Sequence, residues 1–206
     1  MTFYFDQLEN LRFNKSAEAK VDRFAYGLSG PIGTYIEIGA NKPVQRSNTV
    51  SLEKFGWKGF GIEFDSRLQQ HWPAGRTNKI YWDNAITFDY WAAAKEQGLP
   101  KRINFLQVDI EPPANTFAAL KKVVESGLTF DFIAFEHDDY VHDTCYHDIA
   151  TEYLKTQGYK IAVYNVCSRR KRNPGVWSHI ETWYVKDDIP FETIDFFEWK
   201  LKYNIT

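Results

Sequence analysis

The stretch of sequence that decides the fold is residues 35–41 (YIEIGAN), taken together with residues 61–65 (GIEFD) further along the chain. Each contains an apolar run typical of a buried strand, and each run leads to an acid, Glu37 or Glu63. Gly39 and a polar turn follow the first acid, and a glycine lets the backbone come close to a ligand. In nucleotide-binding α/β folds, the second acid accepts hydrogen bonds from ribose hydroxyls. The pair therefore predicts a nucleotide-type cofactor bound across the ends of two strands.

Composition places the chain among globular proteins. It has 206 residues, which suits one domain, and a hydrophobic share of 44% excludes disorder over most of its length. A net charge of −2 gives no global field that would attract nucleic acid. Cys145 and Cys167 are too few for a disulfide framework, no apolar run is long enough to span a membrane, and residues 1–10 lack a basic leader. We therefore expect a cytoplasmic protein with no membrane partner.

Strand and helix patterns alternate along most of the chain. Strands are predicted at residues 34–38, 59–64, 79–86, 103–110 and 130–135, and helices at 48–55, 66–72, 89–97, 114–126 and 143–157. Residues 159–166 and 180–186 then form a strand pair with no helix between them. This order predicts an α/β fold with a mostly parallel seven-stranded sheet, a terminal antiparallel hairpin and helices on both faces. Residues 1–33 are expected to form a helical extension or lid, residues 34–190 the domain, and residues 191–206 a tail.

Several motifs resemble the FkbM family of S-adenosylmethionine-dependent O-methyltransferases. The specific matches are residues 37–41 (EIGAN), 47–53 (SNTVSLE), 56–59 (GWKG) and 61–63 (GIE), and softer matches occur at 84–86, 109–111, 133–136 and 181–185. The resemblance implies a Rossmann-like class I methyltransferase fold and a methyl acceptor such as a sugar or polyketide hydroxyl. Two positions depart from the family pattern: Lys42-Pro43 stands where a second glycine is usual, and Pro112-Pro113 follows Glu111.

The resemblance also implies a set of residues that bind S-adenosylmethionine. Glu37 and Gly39 would face its methionine end, Glu63 its ribose, and Asp83 or Asn84 its adenine. The full predicted set is Glu37, Gly39, Ala40, Asn41, Asn48, Glu63, Phe64, Asp83, Asn84 and Asp109. Ordinary structural roles stay open for several of them. These are a turn for Gly39, a salt bridge to Arg46 or Lys42 for Glu37, and an Asx turn for Asp83 and Asn84.

Catalytic candidates follow the fourth and fifth predicted strands. Asp109 and Glu111 are two residues apart, which points both side chains to one face if they lie within a strand. Two neighbouring carboxylates repel each other, so the pKa of one rises toward a value useful for a general base. His137 is a third candidate for the base. Glu136 and His137 are predicted to bind the substrate.

Two further features concern the partners. Arg169 and Arg170 belong to the only basic run and are predicted to bind the substrate, which leaves a phosphorylated acceptor open. The acids and histidines of residues 136–143 could hold a divalent metal, but their spacing matches no strong metal signature, so a metal is not favoured.

The predicted function is therefore methyl transfer from S-adenosylmethionine to a small-molecule hydroxyl. The alternatives are methylation of a nucleotide or nucleic acid, which is not favoured, and a cofactor-binding module without catalysis. A Rossmann dehydrogenase is disfavoured because the chain lacks the Gly-x-Gly-x-x-Gly turn. The sequence leaves homo-oligomer formation open.

Overall fold

A computed structural model describes residues 2–15, 17–72, 75–138, 144–169 and 177–205, with the backbone alone at residue 169. The strands are Thr34–Ile38 (β1), Lys58–Glu63 (β2), Lys79–Trp82 (β3), Arg102–Val108 (β4), Thr129–Glu136 (β5), Tyr159–Arg169 (β6), Trp177–Lys186 (β7) and Ile194–Asp195 (β8). The α-helices are Val21–Ser29 (α1), Val50–Lys54 (α2), Tyr90–Glu96 (α3), Pro113–Glu125 (α4), Tyr146–Thr156 (α5) and Phe196–Lys202 (α6). Short 3-10 helices cover Phe5–Asn10, Glu18–Lys20 and Ser66–His71.

These strands form one sheet in the order β3-β2-β1-β4-β5-β7-β6-β8. Strands β1 to β5 are parallel, whereas β7 runs antiparallel to both β5 and β6. The prediction of a mostly parallel sheet closed by an antiparallel hairpin is confirmed. The predicted count of seven strands is wrong, because the described residues form eight. The extra strand, β8, has only two residues, too few for a pattern of alternating side chains to show in the sequence.

Several element boundaries have visible local causes. Helix α3 begins after Asp89, whose carboxylate accepts a hydrogen bond from Ala92 N at 3.0 Å, as an N-cap does. Pro113 occupies the first position of α4, where its missing N–H costs nothing. Strand β3 ends at Trp82, earlier than predicted. Within the described residues, no helix has both the length and the apolarity needed to cross a bilayer.

The sheet is covered on both faces, as predicted. On one face the core includes residues of α1, α2 and α6, and on the other it includes residues of α3, α4 and α5. The central strands are buried on both sides, and residues 132–135 of β5 accordingly form a continuous apolar run. The α1 face is rich in aromatic rings: Trp183 lies 5.0 Å from Phe24 and 5.1 Å from Trp199, measured between ring centroids.

The two ends of the chain pack together on the α1 face. Phe5 is buried and stacks on Tyr203 at 4.3 Å between centroids. The region expected as a C-terminal tail contributes β8 and α6, and Trp199 of α6 is fully buried. Both terminal segments therefore contribute to the same hydrophobic core as the sheet.

Trp57, which precedes β2, donates a hydrogen bond from its indole to Gly30 O at 3.0 Å.

Candidate functional site

The carboxyl ends of the parallel strands place most of the predicted site residues along one edge of the sheet. The residues that follow or end these strands are Gly39, Ala40, Asn41, Glu63, Phe64, Asp83, Asn84, Asp109, Glu111, Glu136 and His137. The strand order reverses between β1 and β4, since β2 and β3 lie on one side and β5 on the other. Open α/β sheets bind ligands in the crevice at such a switch point.

The glycine turn after β1 packs against the end of β4. Gly39 has a φ of 85°, in the region that favours glycine, and its N–H donates to Ile62 O at 2.9 Å. A Cβ at this position would overlap the carbonyl oxygen of Asp109. Gly61 also makes room for the turn, since a Cβ there would come within 2.9 Å of the Ala40 Cβ. The glycines therefore bring the loops after β1 and β4 into contact with each other.

Glu63 connects the loops that follow β1 and β2. One of its carboxylate oxygens accepts from Asn41 N at 2.8 Å, and the other accepts from Asp65 N at 2.8 Å. Each carboxylate oxygen has two acceptor positions, so both can accept a second donor. The next residue, Phe64, is 77% exposed, an unusual environment for a large aromatic side chain. A carboxylate acceptor and an exposed aromatic residue are therefore consecutive in the chain at the end of β2.

Glu37 lies in a buried polar network rather than open to the crevice. It is 3% exposed, and its carboxylate accepts from Thr49 Oγ1 at 2.6 Å and from Asn48 N at 3.2 Å. Its ion-pair partner is Arg76, whose Nη2 is 3.7 Å away, instead of Arg46 or Lys42. Burial raises the pKa of Glu37 in spite of this guanidinium.

Arg76 is the centre of this network, and sequence reasoning missed it. It is 6% exposed and donates to Glu53 Oε2 at 2.6 Å, to Thr49 Oγ1 at 2.8 Å and to Pro43 O at 2.9 Å. These bonds fix the loop between β1 and α2 against the sheet. A lone arginine in a polar stretch gives no sequence signal for such a role.

The N-terminal segment lies against the same loop. Asn48, predicted to bind the cofactor, is buried, and its side-chain oxygen accepts from Glu18 N at 3.0 Å. Asn14 N donates to Ser51 Oγ at 2.7 Å. The polar groups of the β1–α2 loop therefore hold the segment that precedes α1.

Asp83 and Asn84 adopt the local turn that the sequence had left open as an alternative. Asn84 Oδ1 accepts from Ile86 N at 3.0 Å, and Asp83 Oδ1 accepts from Asn84 N at 2.7 Å. Both side chains are exposed beside the end of β2, where Asp83 N donates to Glu63 O at 3.0 Å. A contact with adenine stays a prediction for both residues.

The structure joins Asp109 to Glu136 by a hydrogen bond between their carboxyl groups. This bond lowers the pKa of Asp109 and raises that of Glu136, and a hydrogen bond between two carboxyl groups requires that one of them holds a proton. Burial is the largest effect on both groups and raises both pKa values. Glu181 of β7 lies directly opposite Glu136 in the antiparallel register and is 1% exposed. Glu136 and Asp109, which are both half-buried, therefore belong to a group of acids that includes the buried Glu181.

His137 and Glu111 are placed differently from these acids. His137 follows the last residue of β5 and contacts Thr182, the neighbour of Glu181 on β7. Its Nε2 lies 3.3 Å from Thr182 Oγ1, and the residue is 4% exposed. Glu111 is exposed, and both it and Asp109 lie beyond the end of β4, so the expected strand geometry of the pair is absent. The structure thus unites Asp109 with Glu136 but does not bring His137 to them.

Part of the predicted substrate site lies outside the described residues. Arg170 and the side chain of Arg169 are not among the described parts of the chain. The backbone of Arg169 is described, and it ends β6 at the same edge of the sheet. Most of the acidic stretch considered for a metal, residues 139–143, also lies outside. Among the described residues, a metal-like grouping of three side chains occurs only at Cys145, His147 and Asp148, around the start of α5.

A second residue that sequence reasoning missed is Gln107 of β4. It lies beside Glu37 in the parallel register and is 1% exposed. Neither its side-chain oxygen nor its nitrogen has a hydrogen-bond partner in the described structure. A buried amide without partners indicates a donor or acceptor that the protein alone does not supply.

Comparisons with known proteins agree on the fold. No protein-family model and no curated protein sequence matches the chain. An uncharacterized protein from Listeria monocytogenes superposes with a TM-score of 0.56 and 8% identity, over 88% of this chain and 71% of that one. The O-methyltransferase from Bacillus cereus in complex with SAH (S-adenosylhomocysteine) superposes at 0.52 and 12%, over 88% and 87%. A putative O-methyltransferase from Klebsiella pneumoniae gives 0.52 and 10%, over 88% and 86%. The chain therefore has the Rossmann-like α/β fold found in methyltransferases.

Proposed function

We propose that this protein is an S-adenosylmethionine-dependent methyltransferase that acts on a hydroxyl of a sugar or another small molecule. The observation that carries the proposal is the arrangement beside the switch point, where the Glu63 carboxylate accepts a hydrogen bond from the glycine turn and is followed in the chain by the exposed Phe64. The resemblance of residues 37–63 to the FkbM family supports membership of that family and an oxygen acceptor.

The residues present fit the cofactor. Glu63 would accept from the ribose hydroxyls with the acceptor positions that Asn41 N and Asp65 N leave open. Phe64 offers the adenine an apolar face. The partnerless amide of Gln107 lies next to Glu37 in the sheet, and it would bind the polar methionine end. Glu37 would act by holding the β1–α2 loop in place.

The chain's own residues supply alignment and proton acceptance. When bound, the cofactor supplies an electrophilic methyl group that transfers directly to a nucleophile. Asp109 would accept the proton of the acceptor hydroxyl, because burial raises its pKa toward neutrality, where a general base is most effective. The N-terminal segment would act as a lid, since Glu18 and Asn14 bind the β1–α2 loop.

Calorimetry with S-adenosylhomocysteine tests this proposal. The Glu63→Ala variant loses a charged acceptor for two ribose hydroxyls, and hydrogen bonds to charged groups contribute about 1.5–3 kcal/mol each. We expect micromolar binding to the wild type and an affinity at least about 100-fold lower for the variant. The matched control is Glu125→Ala, which removes an exposed acid from α4 and should bind like the wild type. Wild-type protein that fails to bind at millimolar ligand would contradict the proposal.

Turnover assays then define the acceptor. Release of S-adenosylhomocysteine is measured with panels of sugars, nucleotides and RNA. Turnover with sugars that is lost in Asp109→Asn supports the proposed reaction. Turnover with RNA alone would support the nucleic-acid alternative, and tight cofactor binding without any turnover would support a module that does not catalyse.

A further inference from the structure

The α1 face of the sheet carries a group of buried and half-buried acids at the edge where the site lies. We call Asp109, Glu136, Asp138 and Glu181 the carboxyl cluster. Glu136 and Glu181 are directly opposed on β5 and β7, and Asp109 is hydrogen-bonded to Glu136. Glu181 is 1% exposed and Asp138 is 7% exposed. Four acids are therefore concentrated beside the place where the acceptor must approach the cofactor.

Two oxygens of the cluster have no donor. Glu181 Oε2 accepts from Trp183 Nε1 at 2.8 Å, whereas Glu181 Oε1 is buried and has no hydrogen-bond partner in the described structure. Asp138 Oδ1 is in the same situation. A buried carboxylate oxygen without a donor is strongly unfavourable, so native structures usually provide one. These two oxygens point to donors that a ligand brings.

The surroundings of the cluster are also negative. The strongest charge effects on Asp109, Glu136 and Glu181 come from one another, from Asp138, from Glu111 and from Glu18 of the N-terminal segment, and they raise the pKa values.

Other buried acids of the described structure have cationic partners. Glu37 pairs with Arg76, and Asp131 pairs with Arg102 at 2.6 Å. The carboxyl cluster is the exception, because no lysine or arginine of the described residues forms an ion pair with any of its four members. It therefore lacks the compensation that buried charges normally need.

We propose that the carboxyl cluster binds a positively charged group of the methyl acceptor, so that the acceptor is an amino alcohol, such as an amino sugar. This inference rests on the proposed function and specifies its substrate class. An ammonium group provides three donors and one positive charge, which match the partnerless oxygens of Glu181 and Asp138. A hydroxyl on the same molecule would then be directed toward Asp109. The cluster repels an anion, so a phosphate group would have to bind elsewhere.

A metal ion fits this cluster less well than an organic cation. Within the described chain, the side chains whose ligand atoms converge within 4.8 Å in a group of three are Cys145, His147 and Asp148, none of which belongs to the cluster. A metal needs such convergence, whereas an ammonium on a carbon skeleton can bridge carboxylates that lie further apart.

Calorimetry on the protein saturated with S-adenosylhomocysteine tests the inference. The probes are matched pairs of a cation and its neutral counterpart: D-glucosamine with D-glucose, and 1,4-diaminobutane with 1,4-butanediol. We expect at least one cation to bind at least about tenfold more tightly than its counterpart at neutral pH. This preference should disappear in Glu181→Gln and in Asp138→Asn, and it should persist in the control Glu198→Gln, which changes an exposed acid of α6.

The two test variants are chosen to keep the fold. Glutamine at position 181 keeps an oxygen that can accept from Trp183 Nε1. Asparagine tolerates the φ of 47° at position 138. At pH 8 the ligand-free Glu181→Gln variant should also melt at a higher temperature than the wild type, because burial and neighbouring acids oppose ionisation of Glu181, and Glu198→Gln should not produce this change.

The outcomes separate this inference from the proposed function. If S-adenosylhomocysteine binds but neither cation is preferred over its neutral counterpart, the inference is overturned and the proposed function stands. If MgCl₂ binds, depends on Glu181 and is not displaced by either amine, the cluster is a metal site and the inference is also overturned. If S-adenosylhomocysteine does not bind at all, the proposed function itself fails.

Discussion

Replacing Arg76 by methionine should destabilise the protein severely and in a way that depends on pH. Methionine fills much of the same volume but removes every hydrogen bond that the guanidinium donates. Glu37, 3% exposed, then loses its ion pair with Arg76 while remaining buried. Thr49 and Asn48 still donate to it.

Glu53 also loses its 2.6 Å ion pair with Arg76, but Thr77 Oγ1 and Asn78 N still donate to it. The pH dependence of the loss is expected from Glu37, because its pKa is raised whereas that of Glu53 is lowered.

The expected magnitude follows from the geometry. At the observed 3.7 Å and an effective dielectric constant of about 20, the Glu37–Arg76 attraction is about 4.5 kcal/mol. Breaking a buried pair by removing one partner costs about 3–5 kcal/mol, which agrees with this figure. At pH 8 we expect Arg76→Met to lower the free energy of unfolding by that amount. At pH 5.5 the loss should be smaller, because Glu37, whose pKa burial already raises, can then take up a proton.

Urea denaturation of four proteins at both pH values measures this effect. The set comprises the wild type, Arg76→Met, Glu37→Gln and the double variant. Glu37→Gln should recover part of the loss in the Arg76→Met background, since the unpaired charge is gone, with a coupling energy above about 1 kcal/mol. A loss that is the same at both pH values, or a double variant no more stable than Arg76→Met, would refute the reasoning.

Three further predictions concern the turn, the exposed ring and the pH dependence. Gly39→Ala places a Cβ against the carbonyl oxygen of Asp109 at a residue with a positive φ. We therefore expect a lower melting temperature and weaker S-adenosylhomocysteine binding, and an unchanged melting temperature would contradict the packing argument. Phe64→Ala should weaken that binding about tenfold in calorimetry without lowering the melting temperature, because the ring is 77% exposed; equal affinity would exclude it from the site. Burial raises the pKa of Asp22 to about 6 and that of Glu181 well above its ordinary value. Because the folded state then binds more protons than the unfolded state, the free energy of unfolding should fall as the pH rises from about 5 to 7. The slope should be shallower in Glu181→Gln, and stability that increases over this range would show that these carboxyls are not protonated in the folded protein.

The sequence predicts the sheet and the cofactor edge because both depend on local patterns. Apolar runs ending in acids locate the strand ends, and parallel strands gather those ends at one edge. The residues around Gly39 and Glu63 were predicted on this basis, and the structure places them together. Phe64 could be placed at this edge in the same way, because it directly follows the last residue of β2.

The remaining features depend on contacts between distant segments. Arg76 meets Glu37 and Pro43 only after the chain has folded, so no spacing rule indicates its role. Glu181 lies opposite Glu136 because of the register between β7 and β5. The pairing of β7 with β6 contains register shifts, so the register of β7 cannot be counted out from the hairpin in the sequence.

The placement of His137 also depends on a contact between distant segments. His137 follows β5, and its Nε2 lies 3.3 Å from Thr182 Oγ1 of β7. The roles of His137 and Asp109 as bases both stay predictions.

The most direct test of the account is the crystal structure of the protein in complex with S-adenosylhomocysteine. The account predicts the ligand at the switch point between β1 and β4, with both ribose hydroxyls within hydrogen-bond distance of the Glu63 carboxylate and the adenine against Phe64. A ligand bound elsewhere on the sheet, or one whose ribose makes no contact with Glu63, would contradict the central claim.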